Sequence, residues 1–281
     1  AGTESDTALE ICKVAEKVGF ESVWGGEHVI FPSSIESKYP YTSDGKVPAT
    51  KDTMIHDPLI WLAYVAAIAP TLRLGTCILI LPQRNPLILA KEISSLDYLS
   101  GGRVELGIGV GWLKEEFEAL GVPWGRRGAR TDEYVHALRA LWGGTDVEFH
   151  GDFVDFEPVT CTPRPVQKRI PILVGGDTPA AVRRAAKLAD GYYPGTGDFE
   201  ELQNLIQQVR RSAEEFDRDP SEIEIHAHFA ALPDEDHAEG VERLRSAGVG
   251  RIMVPAFFFA GPGGFERLEE FGQEIIGASK A

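Results

Sequence analysis

The apolar positions along the chain alternate between two spacings. Residues 6–18 carry apolar side chains at helical spacing, and a short apolar strand follows over residues 20–25. The same alternation continues to the C-terminus, because helices are predicted between all of the later strands. These strands are predicted over residues 72–80, 103–110, 170–174, 191–194, 224–230 and 251–255. Strands that alternate with helices predict parallel pairing, and no break in composition marks a second domain within residues 1–281.

Two segments depart from this alternation. Residues 26–56 are rich in Pro, Ser, Tyr and Gly, and a connection of this length in a compact domain is typical of a binding loop or lid. Residues 146–159 alternate with period two around His150-Gly151, which predicts an inserted β-hairpin. Proline follows Asp57 and Asn85, a pairing that predicts a helix start at each position.

The strand count favours a barrel. The pattern gives seven parallel strands, whereas a closed (β/α)8 TIM barrel needs eight. We expect such a barrel with its first strand upstream of these residues. An open, doubly wound sheet of seven strands is the alternative.

Composition and charge narrow the function. The 281 residues are 43% hydrophobic, and no apolar run approaches the roughly 18 residues of a membrane span, so we expect a soluble, cytoplasmic protein. A net charge of −15 argues against nucleic acid or an anionic membrane as the partner and favours a small molecule. Cys12, Cys77 and Cys161 lie far apart without a CxxC pair, which predicts reduced thiols.

In a barrel of this kind the active site lies where the strands end at their carboxyl side. His28 follows the first strand, and because histidine is the side chain that most often serves as a general acid or base, it is the best candidate for that role. The segment 107–111 places three glycines on one strand face, where missing side chains would make room for a flat ligand. A tight turn or a Rossmann fingerprint is the alternative, although the third glycine is misplaced for the latter.

Three further features allow two interpretations each. Gly175 and Gly176 precede a helix start, which is either a phosphate seat or a bare helix end. The run 125–130 is either a solvated loop or an anion clamp. His226 and His228 share a strand face, which would suit a metal-dependent hydrolase, but no further ligands are evident and we expect no metal. A GxSxG elbow and a Walker loop are both missing from the sequence.

Several motifs together carry a resemblance to a known family. They are Val18-Gly19-Phe20-Glu21-Ser22-Val23-Trp24, Glu27-His28, Leu72-Arg73-Leu74-Gly75-Thr76, Leu81-Pro82, Asn85-Pro86, Leu99-Ser100-Gly101-Gly102-Arg103, Leu106-Gly107-Ile108-Gly109-Val110-Gly111-Trp112, Glu115-Glu116-Phe117 and Pro171-Ile172-Leu173-Val174-Gly175-Gly176. As a set these segments resemble the luciferase-like flavin monooxygenase superfamily, and within it the oxidoreductases that use the deazaflavin coenzyme F420. The likeness is strong over residues 8–195.

The resemblance implies a TIM barrel with insertions that holds the cofactor ring at its C-terminal mouth. It implies that His28 is the active-site histidine, oriented by Glu27, and that the Cys77–Ile78 peptide is cis and backs the ring. The implied cofactor contacts are Cys77, Ile78, Val110, Gly111, Gly175 and Gly176, and Gly109 and Glu115 of the matching motifs are predicted with them. From charge and position we predict that Arg126 and Arg130 lie near an anionic cofactor tail. The predicted substrate contacts are Trp24, Tyr39, Tyr41, Trp112 and His228. Because relatives are often dimers, a homodimer is expected.

One departure limits the resemblance. The sugar-phosphate dehydrogenase of the deazaflavin branch has a glutamate where Trp112 stands, so its substrate is not carried over, and Trp112 is predicted to form an apolar wall. We therefore predict hydride transfer between F420 and a small organic substrate. An FMN-dependent monooxygenase and a barrel that binds a flavin without catalysis remain the alternatives.

Overall fold

The computed structural model describes residues 5–50, 52–229, 236–259 and 261–278, and the predicted alternation of helices and strands is confirmed in it. The helices are α1 (Ser5–Val18), α2 (Pro58–Ile68), α3 (Pro86–Ser100), α4 (Lys114–Ala119), α5 (Arg127–Gly143), α6 (Pro179–Leu188), α7 (Phe199–Glu215), α8 (His237–Ser246) and α9 (Gly264–Ala278). The strands are β1 (Ser22–Gly25), β2 (Arg73–Thr76), β3 (Leu79–Ile80), β4 (Val104–Gly109), β5 (Val147–His150), β6 (Asp155–Val159), β7 (Ile172–Gly175), β8 (Gly191–Tyr193), β9 (Glu224–His228) and β10 (Arg251–Met253).

These elements form two compact units. The loop unit comprises Trp24–Ala63 and Leu74–Ile172, and the terminal unit comprises Ala1–Val23, Tyr64–Arg73 and Leu173–Ala281.

In the loop unit, parallel strands lie side by side. Leu74 of β2 pairs with Val104 of β4, and β3 pairs with the far end of β4 in the same direction. The Leu106 N–H donates to the Pro171 carbonyl at 2.8 Å, just before β7 begins. Leu106 and Ile108 are fully buried, so β4 is a core strand. This burial explains why the sequence shows an apolar run here.

In the terminal unit, β7 to β10 pair in chain order, and each pair is parallel. Ile225 and Ala227 of β9 are buried, and α6 packs on α7 while α1 packs on α9. Strands β2 and β3 each pair in parallel with β4, as do the successive pairs from β7 to β10, and helices lie between β1 and β2, between β3 and β4, and between each successive pair from β7 to β10. This is the pattern of a TIM-barrel-like α/β fold, as predicted.

The hairpin, the helix starts and the cysteines follow the sequence predictions. Strands β5 and β6 are antiparallel, with His150 opposite Asp155. Asp57 caps α2 by accepting the Leu59 N–H at 2.9 Å, and Asn85 caps α3 in the same way. Residues 26–50 and 52–56 contain no helix or strand, so they form the predicted loop. All three cysteines lie in the described residues, and none forms a disulfide.

Other predictions need correction. The predicted strand over residues 72–80 is two strands, β2 and β3. They are separated by Cys77 and Ile78, which are joined by a cis peptide bond. The run 125–130, interpreted as a loop or an anion clamp, is partly helical, because α5 begins at Arg127. The predicted end of β9 at residue 230 lies outside the described residues. Within the described residues, no helix combines the length and apolarity that a bilayer span requires.

Candidate active site

His28 and Glu116 form a side-chain pair in the loop unit. His28 follows β1, and its Nδ1 lies 3.2 Å from Oε2 of Glu116 on α4. Oε1 of the same carboxylate accepts the backbone N–H groups of Val29 at 2.6 Å and Ile30 at 3.2 Å. Glu116 is only 1% exposed. One buried carboxylate therefore holds both the imidazole and the backbone that follows it.

The charge state of Glu116 determines which partner donates the hydrogen bond between Glu116 and His28. Burial raises the pKa of Glu116, but the hydrogen bonds from His28, Ile30 and Val29 outweigh burial and leave the pKa below its ordinary value. Glu116 is therefore ionised at neutral pH and can only accept hydrogen bonds. Nδ1 of His28 must carry the shared proton, and Nε2 is left to interact with other groups.

Aromatic side chains surround this imidazole. The ring of Phe31 lies 4.6 Å from the His28 ring, and Trp112 meets His28 edge-on at 5.8 Å. Tyr39 contacts Trp112 at 5.1 Å, and Tyr41 contacts Tyr39 at 5.3 Å. The structure thus brings together His28, Tyr39, Tyr41 and Trp112, four of the predicted site residues.

Tyr39 also connects this aromatic group to Cys77. Burial raises the pKa of the Tyr39 phenol, and the nearby thiol of Cys77 raises it further. Cys77 itself is held against β1, because its N–H donates to the Gly25 carbonyl at 2.7 Å. The cis peptide predicted to back a cofactor ring therefore begins next to the end of β1, and the Cys77 thiol acts electrostatically on Tyr39.

Glu27 does not orient His28, contrary to the prediction. Its carboxylate accepts the Ile80 N–H at 2.5 Å and binds the Arg84 guanidinium, which also binds Asp57 at 2.6 Å. Burial raises the pKa of Glu27, and Arg84 and the Ile80 N–H oppose that rise. Because Glu27 and Asp57 flank residues 28–56, Arg84 ties together the two ends of the long loop.

Glu115 also serves the loop, although the resemblance implies a cofactor contact. Its carboxylate accepts the N–H groups of Glu36 at 2.6 Å and Ser37 at 2.9 Å, and the Ser37 hydroxyl at 2.7 Å. Desolvation raises the pKa of Glu115, but these hydrogen bonds outweigh it and lower the pKa to about 2. A carboxylate that already accepts three donors is a loop anchor.

The glycine face of β4 is occupied by protein. A Cβ on Gly109 would lie 2.2 Å from Cδ1 of Ile78, and one on Gly107 would lie 2.0 Å from the Thr76 carbonyl oxygen. These glycines allow the segment between β2 and β3 to approach β4 closely, which corrects the prediction of open space for a ligand. Of the three glycines in the segment 107–111, Gly111 is the one with a left-handed backbone conformation, with φ +80°.

Trp24 packs in a similar way, because its ring fills the space beside Gly75. A Cβ on Gly75 would lie 2.1 Å from that ring. Trp24, predicted to contact substrate, is therefore engaged in packing. Val110 directly follows β4 and stands two residues before Trp112. The backbone of Val110 therefore lies close in the chain to the aromatic group.

Arg126 and Arg130, predicted to lie near an anionic cofactor tail, bind protein groups instead. Arg130 is 6% exposed and donates to the Pro123 carbonyl at 2.8 Å, while Arg126 is exposed and pairs with Asp152 at 2.6 Å. Arg127 stacks on Trp124 at 3.7 Å and donates to the Gly111 carbonyl at 3.3 Å. The structure therefore brings Arg127, and not the two predicted arginines, to the glycine segment.

The remaining predicted residues lie in the terminal unit. The Gly176 N–H donates to the Tyr193 carbonyl at 3.1 Å, and Gly175 ends β7 just before it. The Tyr193 hydroxyl lies 2.7 Å from Nε2 of His228, whose pKa is lowered by burial. His226 instead pairs with Glu224 at 2.9 Å. The two histidines of the metal alternative thus have different partners.

Three residues of this region received no role in the sequence analysis: Phe31, Arg84 and Glu116. Arg127 was included there only as part of the run 125–130. Glu116 is the most informative, because it stands 88 positions from its partner and no local spacing joins the two. Its burial is evident only in the structure, where Glu116 and Phe117 of α4 are both buried, and a buried glutamate without a partner is unusual.

Comparisons with known proteins agree with the fold and the motifs. The family profile described as luciferase-like monooxygenase matches residues 1–274. An uncharacterized protein of Mycobacterium tuberculosis is 39% identical over 254 residues, which cover 90% of this chain and 86% of that protein.

Two further matches differ in cofactor. The FMNH(2)-dependent dimethylsulfone monooxygenase of Pseudomonas putida is 32% identical over 213 residues, covering 74% of this chain and 53% of that protein. The coenzyme F420 dependent tetrahydromethanopterin reductase from Methanopyrus kandleri superposes with a TM-score of 0.76 at 20% identity, covering 99% of this chain and 96% of that chain. The latter likeness identifies the fold as the TIM-barrel-like fold of luciferase-like enzymes.

Proposed function

The chain belongs to the luciferase-like monooxygenase family, and on that premise we propose that it transfers hydride between the deazaflavin coenzyme F420 and a small organic substrate. Membership makes it a flavin- or deazaflavin-dependent oxidoreductase of this family. The observation that carries the proposal is the His28–Glu116 pair, set among aromatic rings at the end of β1.

The residues around His28 fit a flat cofactor ring. Phe31, Tyr39 and Trp112 offer apolar faces, and Cys77 and Ile78 supply a backbone edge beside Tyr39. A bound deazaflavin would supply a carbon that accepts or donates hydride. The aromatic side chains would exclude water from that carbon, which favours hydride transfer over side reactions with solvent. Val110 and Gly111 are proposed to contact the cofactor through their backbone.

His28 moves the proton that accompanies the hydride. When a substrate carbon gives up hydride, Nε2 of His28 accepts the proton from the heteroatom bonded to that carbon. In the opposite direction the imidazolium returns the proton through Nε2. Glu116 stabilises the imidazolium by its charge and by the hydrogen bond to Nδ1.

The side chains near His28 favour an uncharged substrate. Its ring neighbours are Phe31 and Trp112, and the carboxylate of Glu116 is the charged group in contact with it among the described residues. An anionic substrate would meet repulsion there, whereas an apolar substituent would gain contact with the rings. Trp112, in the position where a sugar-phosphate dehydrogenase carries glutamate, supports the same choice.

The deazaflavin is chosen over FMN on two grounds. The set of motifs around His28 and Trp112 resembles the F420 branch, and the chain spans nearly all of the F420-dependent reductase but only 53% of the FMN-dependent relative. The 32% identity to that monooxygenase makes an FMN-dependent monooxygenase the second candidate.

Anaerobic binding titrations of the full chain with F420 and with FMN test this choice. We expect F420 to bind at least about tenfold more tightly than FMN, a difference of about 1.4 kcal/mol. His136→Ala, which changes an exposed histidine of α5, serves as the control and should leave both affinities unchanged. Tighter binding of FMN would contradict the proposal.

A further inference from the structure

Two neighbouring carboxylates on α4 hold the same loop in different ways. Glu115 accepts the N–H groups of Glu36 and Ser37, and Glu116 accepts those of Val29 and Ile30. Only Glu116 also reaches His28, through its second oxygen. Loop anchoring alone would not require that contact, so the second oxygen of Glu116 needs a separate explanation.

We propose that Glu116 is the positioning residue of the active site, which holds His28 with its proton on Nδ1 and its Nε2 open toward the substrate. This inference rests on the function proposed above, because it assigns Nε2 to the proton transfer. Glu116 touches neither substrate nor cofactor in this role. It acts through the imidazole, as a buried carboxylate does when it fixes the tautomer of a catalytic histidine.

The contacts around His28 indicate which charged group can position its ring. The two backbone donors and the imidazole approach different oxygens of one carboxylate, so a shift of the Glu116 side chain would disturb ring and backbone together. The aromatic rings in contact with His28 are Phe31 of the same loop and Trp112 after β4, and neither is charged. Glu27, the acidic neighbour in sequence, is bound to Arg84. Among the described residues, Glu116 is therefore the charged group that sets the state of this ring.

The chain offers a matched control in Glu115. Glu115→Gln and Glu116→Gln each remove one negative charge from the first turn of α4, and each retains an amide oxygen that can accept backbone N–H groups. The two side chains hold different amides and differ in burial, and of the two only Glu116 contacts His28. A purely structural role for Glu116 predicts that they behave alike.

Nitrogen NMR of the histidine-labelled full chain without cofactor reads the tautomer directly. In the wild type and in Glu115→Gln we expect the His28 signals of the Nδ1–H form. In Glu116→Gln we expect a mixture of both tautomers, because an amide can donate to as well as accept from the ring. Unchanged His28 signals in Glu116→Gln, or the same change in both variants, would overturn the proposal.

Steady-state kinetics then separate positioning from folding. Glu116→Gln should lower kcat by about tenfold to a hundredfold with KM within about threefold, whereas Glu115→Gln should mainly raise KM. A change of KM alone in Glu116→Gln would overturn the proposal. If that variant fails to fold, Glu116→Asp, which keeps the charge but shortens the side chain, is read by the same NMR signals and should also populate both tautomers. The NMR result does not depend on the cofactor, so its failure is distinguishable from a failure of the F420 titration.

Discussion

Glu27 and His28 are adjacent in the sequence, yet their side chains belong to two different networks. Glu27 is 7% exposed and is matched by Arg84 and the Ile80 N–H, with Asp57 on the far side of the guanidinium. His28 has one carboxylate partner, at Nδ1, and aromatic neighbours. Glu27 is held by its partners, and removing one of them would leave a buried charge unpaired, which is strongly destabilising. His28 contacts Glu116 through one ring nitrogen only, and its second nitrogen can take part in proton transfer.

Arg84→Met should have the largest effect, on stability. It leaves the buried Glu27 carboxylate without its cation, which costs about 3 to 5 kcal/mol. The pKa of folded Glu27 is already raised by burial, and losing Arg84 raises it further. A carboxyl with a raised folded pKa loses stability as pH increases above its unfolded pKa, so the loss should be larger at pH 8 than at pH 5. Urea unfolding at both pH values measures it.

Arg245→Met is the control for that measurement. Arg245 forms an exposed ion pair with Glu242, whose removal should cost less than about 1 kcal/mol at either pH. Equal effects of the two substitutions would mean that the Glu27–Arg84 network is not a stabilising one.

His28→Ala tests the other side of the comparison. We expect kcat to fall by about a hundredfold or more, because the proton has lost its acceptor, while the midpoint of thermal unfolding changes little. Glu27→Gln should give the reverse pattern, with lower stability and a smaller loss of turnover. Unchanged turnover in His28→Ala would remove the catalytic role of His28.

Trp112→Ala should act on substrate binding. Loss of the ring that contacts His28 and Tyr39 should raise KM by about fivefold to tenfold, and Trp112→Phe should recover most of that loss. The measurement is a set of initial rates with uncharged substrates. A fall in kcat without a change in KM would place Trp112 in the chemical step instead.

Glu115→Gln should have the smallest effect. Its carboxylate, with a pKa of about 2, anchors the amides of Glu36 and Ser37 at neutral pH, and this contribution is lost only as pH falls below the unfolded pKa toward 2. At pH 7 we expect those two amides to exchange with solvent about threefold to tenfold faster in the variant. Equal exchange rates would contradict the loop-anchor role.

The sequence predicted the fold well because each strand is a buried apolar run between amphipathic helices. It missed the break in the predicted strand over residues 72–80, since Cys77 and Ile78 are as apolar as their neighbours. The family resemblance also assigned Glu27 to His28, its neighbour in the sequence. Adjacent residues in an extended segment point in opposite directions, and so Glu27 reaches Arg84 while His28 reaches α4.

The site residues that the sequence missed depend on contacts between distant segments. Arg126 and Arg130 form a positive run in the sequence, but the hairpin supplies Asp152 to one and the loop before α5 supplies carbonyls to the other. The contact of Glu116 with His28 depends on the packing of α4 against the start of the loop, which the sequence does not show. Local spacing cannot predict such partners, whereas the resemblance of the motifs gave His28 and Trp112 together.

The oxygen dependence of turnover tests the central proposal most directly. The protein, with reduced F420 and a panel of small uncharged carbonyl compounds, is assayed for product in the absence of oxygen, with His28→Ala as the control. We predict that product forms without oxygen, that one cofactor is oxidised for each product, and that His28→Ala abolishes most of it. Product that forms only with reduced FMN and consumes oxygen would contradict hydride transfer from a deazaflavin.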